Sequence, residues 1–73
     1  MTPIEIEEGL EAIEESMNLE KLSDEEVLSL LPRIVNYRSR VGVDNFRYLC
    51  GLWKAIDRED FEHAAIIRQK LLE

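Results

Sequence analysis

Helical periodicity is the feature that most constrains the fold of this chain. Apolar residues recur at spacings of three and four along nearly its whole length, and no long segment alternates with period two. The pattern predicts an all-α fold without a sheet. The 73 residues form one expected domain, 1–73, with a small core, because a chain of this length buries only about 60% of its unfolded surface.

Two capping boxes mark where helices begin. Thr2 and Glu5 stand three residues apart, as do Ser23 and Glu26, so each pair can exchange hydrogen bonds between side chain and backbone. Together with the stop signals, they predict a small four-helix domain that ends in an antiparallel hairpin. The predicted helices span residues 3–17, 24–39, 45–57 and 60–72.

Signals inside and after the second helix are less regular. Pro32 removes one helical hydrogen bond, which predicts a kink or a restart. Gly42 is the expected stop, and Asp44 is the expected N-cap of the third helix.

Each of the first two helices carries an apolar stripe. The first helix is the least constrained, because its stripe is narrow and its charge is high; it could dock on the core, pair with a second copy or await a partner. The stripe of the first helix is Ile6, Leu10, Ile13 and Met17. The second helix has a broad apolar face, formed by Val27, Leu28, Leu30, Leu31, Ile34 and Val35. We expect the stripe of Leu28, Leu31, Ile34 and Val35 within this face to pack across the last two helices.

The last two helices predict a closely packed hairpin. We expect Phe61 to close its apex against Trp53 and Ile56, and small side chains at Ala64 and Ala65 to let the helix axes approach. Arg68 and Leu71 continue the same side of the last helix, where a buried guanidinium would need an acidic partner.

This segment resembles the UVR motif, the helical hairpin found in UvrB and UvrC. The match covers about residues 52–72. It departs at Gln69, where that motif usually has aspartate, and at Ile66, where a polar or small residue is more common. The resemblance implies docking between proteins. It rests on Ala55, Glu59, Asp60, Phe61, Glu62, Ala64, Ala65, Arg68 and Leu71.

Charge is unevenly distributed along the chain. Residues 1–26 hold ten acids and one lysine, whereas residues 27–73 hold eight basic residues and six acids, for a net charge of −7. The acidic part is expected to be solvated, to meet a basic partner or to cover the arginines of the chain itself.

Arginines and aromatics interleave in the middle of the chain, a composition favoured at protein interfaces and at phosphate-binding surfaces. The negative net charge disfavours nucleic acid as the partner. Ile66 and Tyr48 lie off the expected apolar faces and could extend a docking surface. The candidate partner-binding residues are therefore Arg33, Tyr37, Arg38, Arg40, Arg47, Tyr48 and Ile66.

Catalytic and cofactor signatures are missing from the sequence. His63 and Cys50 are the only histidine and the only cysteine, and their helical phases predict different faces. We expect no enzyme activity, no metal and no cofactor. With no apolar run long enough for a membrane span and no disulfide framework, a cytoplasmic protein is expected.

The sequence therefore predicts a non-enzymatic protein–protein interaction module or small regulator, docking through the hairpin and the arginine–aromatic surface. An acidic mimic that blocks a nucleic-acid-binding protein, a direct nucleic-acid binder and a homodimer remain as alternatives.

Overall fold

The computed structural model describes all 73 residues as four α-helices and no strand, which confirms the predicted all-α class. A single 3₁₀ turn, Leu19–Lys21, joins the first two helices. The helices are α1 (Pro3–Met17), α2 (Asp24–Val41), α3 (Val43–Asp57) and α4 (Phe61–Leu72).

Both predicted capping boxes form. The Thr2 hydroxyl accepts from the Glu5 amide at 3.2 Å, and the Glu5 carboxylate accepts from the Thr2 amide at 3.0 Å. Ser23 and Glu26 make the equivalent pair at the start of α2. Hydrogen bonds from Thr2 also hold the pKa of the Glu5 carboxyl below its usual value.

The junction of α2 and α3 is tighter than expected. α2 continues through Pro32 without a restart and ends at Gly42, whose φ of 94° suits a residue without a Cβ. α3 begins at once with Val43, so the prediction that Asp44 is its N-cap is wrong, and Asp44 lies in the first turn. Gly42 itself occupies the N-cap position and makes no side-chain bond.

The turn between α3 and α4 reverses the chain within three residues. The Asp60 amide donates to the Ala55 carbonyl at 2.9 Å, and the Glu59 amide donates to the Ile56 carbonyl at 3.0 Å. This is a Schellman motif, and Glu59 takes the left-handed position with a φ of 60°. Asp60 then caps α4 by accepting from the His63 amide.

The hairpin packs through only part of the predicted face of α4, and Ile67, expected beside that face, joins it. Ala64, Ile67 and Leu71 are buried, whereas Ala65 and Arg68 are exposed. Two apolar stripes overlap on this helix, and the observed one leaves the Arg68 guanidinium in water instead of in the core without a partner.

Phe61 does not close the apex of the hairpin. Its side chain is 65% exposed, and Ile56 is also exposed, while Trp53 is half-buried. The core side of α3 consists instead of Leu49, Leu52 and Ala55.

α2 buries only one residue of its predicted apolar face, Leu30, together with Tyr37, which was expected to bind a partner. Leu30 and Tyr37 are its buried residues, so the prediction that the stripe of Leu28, Leu31 and Val35 packs across the hairpin is wrong. Only Ile34 of the predicted stripe is half-buried. The observed face brings the phenol of Tyr37 to α1, where its hydroxyl has a backbone partner.

α1 is a full member of the core. Ile6 and Ile13 are buried as predicted, Leu10 is half-buried and Met17, at the end of the stripe, is exposed. Gly9 lets α1 approach closely, because a Cβ there would lie 2.7 Å from Tyr37 Cζ and 2.9 Å from Leu49 Cδ1.

The Met1 amino group links α1 to the end of α4 by donating to the Leu71 carbonyl at 2.6 Å.

Candidate interaction surfaces

The predicted arginine–aromatic surface does not exist as one patch, because Tyr37 is buried. Its hydroxyl donates to the Glu5 carbonyl at 2.6 Å, and its ring packs edge-on against Phe46 at 6.4 Å. Burial, with the charges of Glu8 and Glu5, raises the pKa of Tyr37 to about 12. The prediction that Tyr37 binds a partner is therefore wrong, and this residue joins α1 to α2.

Two of the candidate arginines are engaged with α1. Arg33 pairs with Glu15, and Arg40 pairs with Glu8 at 2.9 Å. The Arg40 guanidinium also lies over the Tyr37 ring, 5.4 Å from its centre. Both ion pairs are partly exposed, so each contributes at most about 1 kcal/mol to stability. The acidic segment therefore has at least one of the three roles expected of it, because it covers arginines of its own chain.

The other candidates stay accessible. Arg38 and Arg47 are exposed and form no ion pair within the chain. Tyr48 and Ile66 are exposed as predicted. The Lys70 ammonium lies 5.8 Å from the centre of the Tyr48 ring, which ties α4 to α3 on this side by a cation–π contact.

A cationic stripe along α3 and its C-cap, formed by Arg47, Lys54 and Arg58 around Gly51, was missed by sequence reasoning. These residues follow one another at spacings of four, three and four, which places them on one side of the helix. None of the three cations forms an ion pair within the chain. The helical spacing of the three cations was the signal that could have identified the stripe.

Gly51 opens a groove between α3 and α4 in the middle of this stripe. The groove is lined by Gly51, Lys54, Ala55, Arg58, Asp60 and His63. A Cβ at position 51 would meet only Ile67 Cδ1, at 3.6 Å, which is ordinary contact. Packing within the chain therefore does not require glycine here, although glycine in a helix costs about 1 kcal/mol relative to alanine.

An acidic groove lies between α1 and α3. Its floor includes Leu10, Trp53 and Ile56, and its rim carries four carboxylates: Glu7, Glu11, Glu14 and Asp57. These acids take no part in the pairs with Arg33 and Arg40.

Cys50 and His63 are not arranged as a reactive pair. His63 is exposed, Cys50 is half-buried, and no hydrogen bond joins them. Burial raises the pKa of the Cys50 thiol, against a smaller opposite effect of Lys54, whereas a nucleophilic cysteine needs a lowered pKa. No three histidine, cysteine or carboxylate side chains lie close enough together to hold a metal ion.

None of the helices combines the length and the apolar character that crossing a bilayer requires. Comparison of the chain with protein families, curated proteins and solved structures finds no match.

Proposed function

We propose that this chain is a non-enzymatic, cytoplasmic docking module whose α3–α4 hairpin binds an acidic segment of another protein. The observation that carries the proposal is the cationic stripe around Gly51. Two unpaired cations, Lys54 and Arg58, line a groove together with Asp60 and Gly51, a helix position without a side chain. Arg47 extends the positive charge along α3 beyond this groove, and a Cβ at position 51 would make only one ordinary contact. The UVR resemblance of the hairpin supports the same class of function.

Charge determines the kind of partner. The stripe attracts carboxylates, and a partner backbone can approach Gly51 more closely than any residue with a Cβ. Tyr48 and Ile66 are exposed apolar residues on the same two helices, and such residues are favoured at the core of an interface. The mimic alternative is less well supported, because Glu8 and Glu15 are already occupied by arginines.

Affinity capture from lysate of the source cells, quantified by mass spectrometry, tests the proposal. The baits are the wild type, Lys54→Glu, Ile66→Glu and the control Lys21→Glu, which makes the same charge change at an exposed position outside the groove. We expect one protein with an acidic segment to be captured by the wild type and the control, and to be lost from Lys54→Glu and Ile66→Glu.

Gly51→Ala separates docking from folding. Alanine should stabilise α3 by about 0.5–1 kcal/mol while reducing capture of the partner, a combination that a merely structural role does not produce. Retention of the partner by Lys54→Glu and Ile66→Glu would place docking elsewhere. Recovery of nucleic acid, lost on nuclease treatment, would replace the proposal with direct nucleic-acid binding.

A further inference from the structure

α2 presents a strip of apolar residues to solvent, and no other helix covers this strip. Leu28 is 69% exposed, Leu31 52% and Val35 62%. They follow one another at spacings of three and four, and so form one continuous strip on the helix. The strip points away from α1, because Arg33, Arg40 and Tyr37 contact α1 from the other side of α2.

The charges that end this strip are symmetric about Leu31. Asp24 lies seven residues before Leu31, and Arg38 lies seven residues after it. Because seven residues make about two helical turns, each charge lies about 10 Å from Leu31 along the helix axis and on the same side of the helix. Both side chains are exposed, and neither forms an ion pair within the chain.

This symmetry makes the strip complementary to itself. If two copies of α2 lie antiparallel with a two-fold axis at Leu31, each Asp24 faces the Arg38 of the other copy. The apolar positions also match, because Leu28 then faces Ile34 and Val27 faces Val35. A parallel pairing would instead bring like charges together. Self-complementarity of this kind is the signature of an isologous interface.

The shape of the chain agrees with a missing neighbour. Its accessible surface is 5328 Å², whereas a compact monomer of this mass exposes about 4,700 Å². The radius of gyration is 12.5 Å, compared with roughly 11 Å for a compact chain of this length. The excess surface, roughly 600 Å², approaches the area of about 800 Å² that each partner buries in a standard interface.

We propose that the chain forms a homodimer through antiparallel pairing of α2, with Leu31 on the two-fold axis and two ion pairs between Asp24 and Arg38. This interface is separate from the α3–α4 groove and does not depend on the proposed function.

Disulfide trapping tests directly whether the two-fold axis of the dimer passes through Leu31. In a Cys50→Ala background, which removes the only native thiol, cysteine is placed at Leu31 or, as the matched control, at Val35. Leu31→Cys should form a covalent dimer on mild oxidation, because residues at the axis lie within disulfide range of their own copies. Val35→Cys should not form a covalent dimer, because the two copies of residue 35 lie roughly 12 Å apart along the helix axis.

Sedimentation equilibrium of the wild type and of charge variants tests the ion pairs. Arg38→Glu should weaken the dimer about tenfold, since it replaces two attractions with two repulsions. Adding Asp24→Lys should restore most of the affinity, which a folding defect would not allow.

Three results would overturn the proposal. Crosslinking at both cysteine positions would indicate parallel helices. A wild-type dimer that crosslinks at neither position uses another surface. If the wild type stays monomeric at the highest soluble concentration, the strip does not form a homodimer, and its occupant would be a different protein.

Discussion

Gly9 and Gly51 both lie inside helices, and the structure predicts opposite effects of replacing them with alanine. Helix propensity alone predicts that each alanine stabilises the fold by up to about 1 kcal/mol. At Gly51 the new methyl group meets only Ile67 Cδ1, at 3.6 Å, so that gain should be realised. At Gly9 it would lie 2.7 Å from Tyr37 Cζ and 2.9 Å from Leu49 Cδ1, which is closer than carbon atoms can pack.

The cost at Gly9 has two parts. Overpacking a core costs about 1–3 kcal/mol. Displacing Tyr37 also weakens its hydrogen bond to the Glu5 carbonyl, a loss of about 1 kcal/mol. With the helix-propensity gain subtracted, Gly9→Ala should destabilise the protein by about 1–3 kcal/mol. In a domain of this size, that lowers the melting temperature by roughly 5–20 °C.

Thermal and urea unfolding followed by circular dichroism measure both variants. Gly9→Ala should melt below the wild type and Gly51→Ala above it. A Tyr37→Phe background should reduce the cost of Gly9→Ala, because the phenol oxygen no longer obstructs the methyl group. Equal or greater stability of Gly9→Ala would refute the argument that close contact between α1 and Tyr37 requires glycine.

Phe61→Ala should lower the free energy of unfolding by less than about 1 kcal/mol, because the side chain is 65% exposed. Truncating a buried phenylalanine would cost roughly 3–5 kcal/mol instead. Urea unfolding measures the difference, and a loss in the larger range would place Phe61 in the core. Raising the pH should weaken the fold between about 10 and about 12, because the folded state retains the Tyr37 proton after the unfolded chain has released its own. Stability curves of the wild type and Tyr37→Phe should diverge in this window, and parallel curves would contradict the assignment of the effect to Tyr37.

Helix existence could be predicted from the sequence because its signals are local. The capping boxes at Thr2 and Ser23 and the stop at Gly42 act within a few residues, and all three lie where expected. Asp44 failed as a cap because Gly42 already turns the chain into α3.

The buried faces could be predicted only in part, because they depend on what each helix meets. α4 offers Phe61, Ala65 and Arg68 on one side and Ala64, Ile67 and Leu71 on another, and only the neighbouring α3 decides between the sides.

The candidate site could be predicted only in part, because the exposure of its residues also depends on which helices meet. The exposure of Tyr48 and Ile66 followed from helical phase and is confirmed. Tyr37 was assigned to a partner because its true acceptor, the Glu5 carbonyl, lies 32 residues away and leaves no trace in the side-chain pattern. The stripe around Gly51 combines residues from one helix, but its lack of internal partners became visible only in three dimensions.

The bond from Tyr37 to the Glu5 carbonyl bears on how freely α1 can change during evolution. A carbonyl is offered by every residue type, so this contact constrains the position of α1 without constraining the side chain at position 5. Burial restricts Ile6, Gly9 and Ile13, whereas the outward acids Glu7, Glu11 and Glu14 face no such restriction. In a substitution library selected only for folding, these three positions should accept neutral residues as readily as acids. If acids are retained at these positions under selection in the cell, they are therefore required for something other than folding.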